Sequence, residues 1–268
     1  MTSTEQLYSI FQKHPIIITD TRKLVKGGIF FALKGGNFNG NLFALAALNE
    51  GAAYAVVDEE INSSDERLLK VDDVLKALQD LATYHRIQTK IPVLAITGSN
   101  GKTTTKELIA AVLSKKYNVN YTQGNLNNHI GVPLTLLSIT AENNFAVVEM
   151  GANHQKEIEM LCGIANPDFG LITNVGKAHL EGFAGFEGVK KGKGELYEHL
   201  ARKNGTIFIN ADNYDLNSMA AKTGVKKIIT YGTKPEYDCS GKVVKESPLL
   251  KISWRKKNDS KENIVQTN

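Results

Sequence analysis

The chain has 268 residues, with 32 lysines and arginines against 28 aspartates and glutamates, a net charge of +4. The length suggests about two domains, and a mild charge scattered along the chain argues against a nucleic-acid-binding surface. Two cysteines, Cys162 and Cys239, exclude a disulfide framework or cysteine-based zinc cluster and fit a reducing cytoplasm, no apolar run approaches the roughly 18 residues of a membrane span, and the start at Met1 lacks the basic and apolar segments of a signal peptide.

Ile16–Thr19 and Gly28–Leu33 read as short strands, Leu42–Asn49 as a helix and Ala53–Val57 as a strand. Over Val71–Arg86, residues Val74, Leu75, Leu78, Leu81 and Ala82 recur at helical spacing. A linker at Ile87–Ile91 leads to Pro92, so a first, small α/β unit is expected over 1–88. From 89 to 268, candidate strands at 93–97, 118–122, 145–149, 170–174, 206–210 and 227–231 alternate with helical patterns, Lys106–Leu113 among them. That alternation predicts an α/β fold with a doubly wound, mostly parallel sheet. Leu249–Trp254 alternates like a strand, Asn258–Ser260 reads as a turn, and a return strand starts at Ile264–Thr267. Because the sequence stops there, the second domain is expected to end early.

Ligands of such sheets sit outside the carboxyl ends of the strands, and polar residues gather there. The strand at 93–97 runs into Thr97-Gly98-Ser99-Asn100-Gly101-Lys102-Thr103-Thr104, then a helix. A glycine-rich turn at a helix N-terminus aims backbone N–H groups and the positive end of the helix at one point, which is an anion site. Lys102 adds a charge for outer phosphates, and the Thr103 hydroxyl can ligate magnesium. The general phosphate-loop spacing would require glycine at 96, where Ile96 stands, so the loop is of a shorter form. Glu149, ending its strand, can hold magnesium beside Thr103, or cap a neighbouring helix. His179 can bind a second metal, orient a substrate or be structural. Asn210 and Asp212 can meet adenine and ribose, or form a turn.

The loop resembles that of the Mur ligase superfamily, the ATP-dependent amide ligases of peptidoglycan precursor and folate polyglutamate synthesis. Gly124–Leu137, Val148–Ile158, Ile172–Val175 with His179, Leu180 and Phe183, and Glu187–Leu196 resemble further segments of that superfamily, covering most of residues 92–212. Asn127-Asn128 and Glu149-Met150-Gly151-Ala152-Asn153-His154 point to the branch that joins D-Ala-D-Ala to UDP-MurNAc-tripeptide. The resemblance implies ATP and Mg2+. It places ATP on Gly98, Ser99, Asn100, Gly101, Lys102, Thr103 and Thr104, to which the strand-end reading adds Asn210 and Asp212, and one magnesium on Thr103 and Glu149. A second magnesium falls to His179 and a carbamylated Lys193, with Lys102, Lys193 and His179 as catalytic residues and Asn127, Asn128 and His154 on the substrate. Without the resemblance, Lys193 in Lys190-Lys191-Gly192-Lys193 reads as a solvated charge.

The first unit is similar to the superfamily's UDP-binding domain, through Asp20-Thr21-Arg22 and Phe31–Gly35 with Lys34. It departs at Asn39-Gly40-Asn41, where Asp-Gly-His or Asp-Ala-His is usual; either the turn is built differently or the uridine contacts differ. The resemblance further implies a cytoplasmic monomer without stable membrane insertion, and a C-terminal ligase domain absent from these residues, so that this chain alone is expected to be weakly active or inactive. Two rivals stand beside it: a sister Mur ligase or folylpolyglutamate synthase, and a nucleotide-binding module without turnover.

Overall fold

The structure, a computed structural model, describes residues 1–177 and 179–266. Ser3 opens helix α1 (Thr4–Phe11): its side chain accepts from the Gln6 N–H while Gln6 accepts from the Ser3 N–H, satisfying two of the helix's orphan donors. Strands β1 (Ile17–Ile18), β2 (Ile29–Phe31), β3 (Lys34–Gly35) and β4 (Phe38–Asn39) follow. A 3-10 turn at Gly40–Phe43 leads into α2 (Ala44–Asn49), so the helix predicted from Leu42 begins as a tighter coil. Then come β5 (Tyr54–Val57), β6 (Leu68–Lys70) and α3 (Val74–Thr89). Asp73 caps α3 by accepting from the Lys76 N–H. The helix continues beyond the predicted end at Arg86 and stops where Lys90 turns left-handed at φ 52°.

The second half holds β7 (Val93–Thr97), α4 (Lys102–Leu113), β8 (Val119–Tyr121), α5 (Gly131–Leu137), β9 (Phe145–Glu149), α6 (Glu157–Ala165), β10 (Phe169–Ile172), α7 (Leu180–Phe183) and α8 (Phe186–Lys203). It continues with β11 (Thr206–Asn210), α9 (Tyr214–Thr223), β12 (Lys227–Gly232), β13 (Cys239–Lys245), β14 (Lys251–Lys256) and β15 (Asn263–Gln266). Each predicted strand forms; 93–97, 145–149 and 206–210 keep their predicted ends and the others shift, and Thr267, the predicted end of the last, lies outside the described residues. Helix α1 and strands β3, β4, β6 and β13 lie outside the predicted elements. β6 is only three residues long, and β13 is a mostly exposed strand carrying Lys242, Lys245 and Gly241 where apolar residues would mark it.

Contacts divide the chain into two compact units. The first gathers residues 1–91, 110–148 and 163–166. Its all-parallel sheet runs β1-β2-β5-β6. Its core joins Ile18, Phe30 and Val57 to Ala44, Ala47 and Leu48 of α2. Burying such side chains contributes roughly 1.5–3 kcal/mol each for the larger ones. β3 and β4 form a short antiparallel hairpin, and β8 pairs with β9 in parallel. His85 of α3 ties helices together: Nε2 lies 2.9 Å from Ile139 O, and Nδ1 lies 3.4 Å from the Tyr8 hydroxyl of α1.

The second unit holds 92–109, 149–162 and the described residues from 167 onward. Its strand order is β15-β14-β13-β12-β11-β10-β7, parallel from β7 to β13 and antiparallel through β14 and β15. β7 is buried along its whole length. On the side away from β10, the Met150 N–H donates to Ile96 O and the Thr97 hydroxyl to Met150 O, both at 2.8 Å. The chain therefore leaves β7 with neighbours on both sides, and the crevice at its carboxyl end is the ligand-binding position of an open α/β sheet.

Candidate nucleotide and metal site

The loop between β7 and α4 is fixed mainly by the segment that follows β10. The Thr173 hydroxyl donates to Asn100 O at 2.7 Å, and Asn174 Nδ2 donates to the same oxygen at 3.0 Å. Asn174 Oδ1 accepts from the Asn100 N–H (3.1 Å), its carbonyl accepts from the Ser99 N–H (3.0 Å), and Ser99 Oγ accepts from the Gly176 N–H (2.9 Å). This clamp requires glycine at 98: φ is +143°, and a Cβ there would lie 2.0 Å from Thr173 Oγ1. Gly101, at φ +75°, turns the chain into α4. Thr173, Asn174 and Gly176 are thus functional residues that the sequence reading did not single out as loop holders.

Lys102 folds back over the loop, donating to Gly98 O at 2.9 Å and Ser99 O at 3.3 Å. Burial holds its ammonium below the ordinary lysine value, and Glu149 opposes that shift. The Thr103 hydroxyl donates to Glu149 Oε1 at 3.2 Å, and Glu149 is 1% exposed. A hydroxyl and a carboxylate at the mouth of a phosphate loop form a hard-oxygen donor set, which fits Mg2+ rather than a soft metal. Among the described residues no cluster of three or more His, Cys, Asp or Glu could hold a metal. A magnesium ion completed by phosphate oxygens and water requires none.

Lys193 is not a solvated charge. It is 2% exposed, donates to Ala152 O at 3.1 Å and sits 5.2 Å from the centre of the Phe183 ring. Burial, with the nearby Lys102 charge next, holds it down at about 8. Phe183 reaches it because α8 presents glycines: a Cβ at Gly188 would lie 1.6 Å from Phe183 O, and one at Gly192 2.4 Å from Phe183 Cε1. Two residues on, the Glu195 carboxylate accepts from the N–H groups of Lys156 (2.6 Å) and Glu159 (2.9 Å) at the start of α6. Burial dominates its titration and pushes it up against those bonds.

Other predicted residues stand exposed or serve the scaffold. His179 is exposed and left-handed at the start of α7, with no side-chain cap. His154 is exposed, its Nδ1 3.4 Å from Glu157 Oε1. Asn210 Oδ1 accepts from the Asp212 N–H at 3.1 Å, and Asp212 accepts from the Thr233 N–H (2.7 Å) and the Tyr237 hydroxyl (3.1 Å), so both residues build a turn beyond β11. Thr104 is exposed on the first turn of α4.

In the first unit, Asp20, Thr21 and Arg22 line a cavity of about 450 Å3 with Thr19, Phe38 and Phe43. Arg22 pairs with Asp20 at 2.7 Å, and its guanidinium holds the Asp20 carboxyl at about 2. Lys34 bridges Asp58 (2.9 Å) and Glu59 (3.0 Å). Asn41 donates to Asn39 Oδ1 (3.0 Å) and Asp58 Oδ1 (2.8 Å) and accepts from the Asp58 N–H (3.1 Å), while Asn39 donates to Glu59. The departure at Asn39-Gly40-Asn41 therefore builds its own amide-based turn. Asn128 Oδ1 accepts from the N–H groups of Ile130 and Gly131 ahead of α5, and the Asn127 N–H donates to Asn125 O.

Comparison with known proteins places this architecture. The profile of the Mur ligase middle domain matches residues 96–263. The UDP-N-acetylmuramoyl-tripeptide–D-alanyl-D-alanine ligase of Escherichia coli K12 is 44% identical over 212 residues, covering 79% of this chain and 46% of that protein. The crystal structure of MurF from Acinetobacter baumannii superposes with a TM-score of 0.84 at 30% identity, covering 98% of this chain and 60% of that one. The MurF ligase of Thermotoga maritima in complex with ADP gives 0.82 at 27% identity, over 95% of this chain and 58% of that one. The chain thus spans about half the length of the curated relatives it matches. With the profile covering more than half of its residues, and a relative 44% identical over 79% of it, the chain belongs to the Mur ligase family.

Proposed function

We propose that this chain supplies the substrate- and ATP-binding parts of an ADP-forming amide ligase of peptidoglycan precursor synthesis, one that joins D-Ala-D-Ala to UDP-MurNAc-tripeptide. The observation that carries the reading is the Thr103–Glu149 contact beside Lys102 at the end of a clamped glycine loop. We assign uridine-nucleotide binding to residues 1–88, through Asp20, Thr21, Arg22 and Lys34, and ATP binding to residues 89–268, through Gly98–Thr104 with Asn210 and Asp212. Asn127, Asn128 and His154 serve the peptide substrate. The working protein is a cytoplasmic monomer, and the present chain ligates weakly or not at all by itself.

A carboxylate is a poor electrophile and needs activation. The γ-phosphoryl group of ATP passes to the terminal carboxylate of the tripeptide; the amine of D-Ala-D-Ala attacks the resulting acyl phosphate, and phosphate leaves. Backbone N–H groups of the loop and the α4 N-terminus hold the phosphates. Lys102 exchanges its bonds to Gly98 O and Ser99 O for the outer phosphates, and neutralises charge as the phosphoryl group moves. Thr103 and Glu149 would hold one magnesium, and His179 with a carbamylated Lys193 a second. Bound there, the metal withdraws charge from the phosphate oxygens. The depression of Lys193 to about 8 supports its modification, because only a neutral amine adds to carbon dioxide.

Calorimetric titration of this chain with UDP-MurNAc-tripeptide, with UDP as control, tests the reading. Binding tighter than that of UDP is the expected result. No binding by a folded sample would remove substrate recognition from these residues. In a chain extended to the relatives' length, D-Ala-D-Ala-dependent phosphate release should be abolished by Lys102→Ala; near-normal turnover would sink the assignment.

A further inference from the structure

We propose that one face of the β13–β14 hairpin is a second anion site, built for a phosphate or a phosphomonoester and separate from the loop at Gly98–Gly101. The antiparallel register sets Ser240 opposite Arg255 and Lys242 opposite Ser253. Opposed residues share a face, and so do alternate residues along a strand, so all four side chains lie on one side of the hairpin. They line a cavity of about 410 Å3 with Trp254 and Glu262.

Ser240 is 7% exposed and Ser253 3%. Neither hydroxyl bonds to another protein group among the described residues, and neither oxygen is among the buried polar atoms without a partner, so both are open to the cavity. Nor does Lys242 or Arg255 have a carboxylate within ion-pair distance among the described residues, Glu262 on the rim included. Two hydroxyls open to the cavity beside two cations without a carboxylate partner match a group with several strong acceptor oxygens. The guanidinium fork can take two of them and the ammonium a third. The cavity has room for the phosphoryl group and a small body attached to it.

Binding is read by calorimetry, because Trp254, the chain's sole tryptophan, pairs with Gly241 and so points to the other face of the hairpin. The full chain is titrated with inorganic phosphate, with chloride at matched ionic strength and acetate as controls. The same titration on the Lys102→Ala variant sets aside the loop. A saturable change with phosphate, kept in Lys102→Ala and weakened about tenfold or more in Arg255→Gln and in Lys242→Gln, is expected from the loss of a charge-assisted bond. Far-ultraviolet circular dichroism verifies that these variants are folded; both substituted side chains are exposed, so folding should persist. The proposal is overturned by the absence of a saturable change, by an equal response to chloride or acetate, by loss of the response in Lys102→Ala, or by an unchanged response in both hairpin variants.

Discussion

The phosphate loop and the Asn39–Asn41 turn are both polar turns, but they are built from different parts of the chain. In the loop, main-chain groups of Ser99 and Asn100 are gripped by Thr173 and Asn174, with Gly176 holding the Ser99 hydroxyl, which leaves the glycine backbone for a ligand. In the Asn39–Asn41 turn, side chains do the holding: Asn41 spans Asn39 and Asp58, and Lys34 joins Asp58 to Glu59. A backbone-built site depends on glycine spacing and tolerates little volume. A side-chain-built site depends on partners distant in sequence, as the links from Asn41 and Lys34 to Asp58 do.

The largest effect should come from Gly98→Ala. The added Cβ meets Thr173 Oγ1 at 2.0 Å on a backbone that favours glycine. Strain and overpacking together should cost about 3 kcal/mol or more, read as loss of ADP affinity by calorimetry. Next is Asn41→Ala, which strips Asp58 of a donor and leaves its N–H without an acceptor. A loss of about 2 kcal/mol in denaturant melts is expected; no loss would mean that the turn is not held by this amide. Thr173→Val keeps the shape but removes the hydroxyl bond to Asn100 O, at about 1 kcal/mol. An effect as large as that of Gly98→Ala would show that the hydroxyl, not the glycine backbone, controls the loop.

The smallest effect is a pH dependence in the first unit. Burial holds His85 below its ordinary value of 6.5, against the pull of Ile139 O. The unfolded chain then takes up the proton first. Stability due to neutral His85 is complete above about pH 6.5 and declines as pH falls from there towards the lower folded value. Melts of His85→Gln should show a shallower slope over that window; an unchanged slope would assign the effect to other groups.

The same contrast explains what could be read from the sequence. β7, the loop and α4 were legible because apolar run, glycine and lysine are adjacent in sequence, and each is dictated by local backbone chemistry. The α1 start carries an equally local signal, Ser3 and Gln6 at capping-box spacing. Lys193 was not legible from its neighbours: a lysine run reads as a solvated face, and its burial follows from Phe183 entering the bare flank at Gly188 and Gly192. Thr173 and Asn174 were visible as a motif, but their grip on a loop more than 70 residues earlier is a product of β7–β10 pairing. Glu195 likewise looked like part of a lysine segment, whereas it caps α6 from another helix.

The central claim is that Thr103 and Glu149 complete a magnesium-dependent nucleotide site on the clamped loop. ADP binding, measured by calorimetry with and without Mg2+, for the natural chain and for Glu149→Gln tests it most directly. The account predicts that magnesium tightens ADP binding to the natural chain, and that this gain vanishes in Glu149→Gln while metal-free binding persists. An equal gain in both proteins would contradict it.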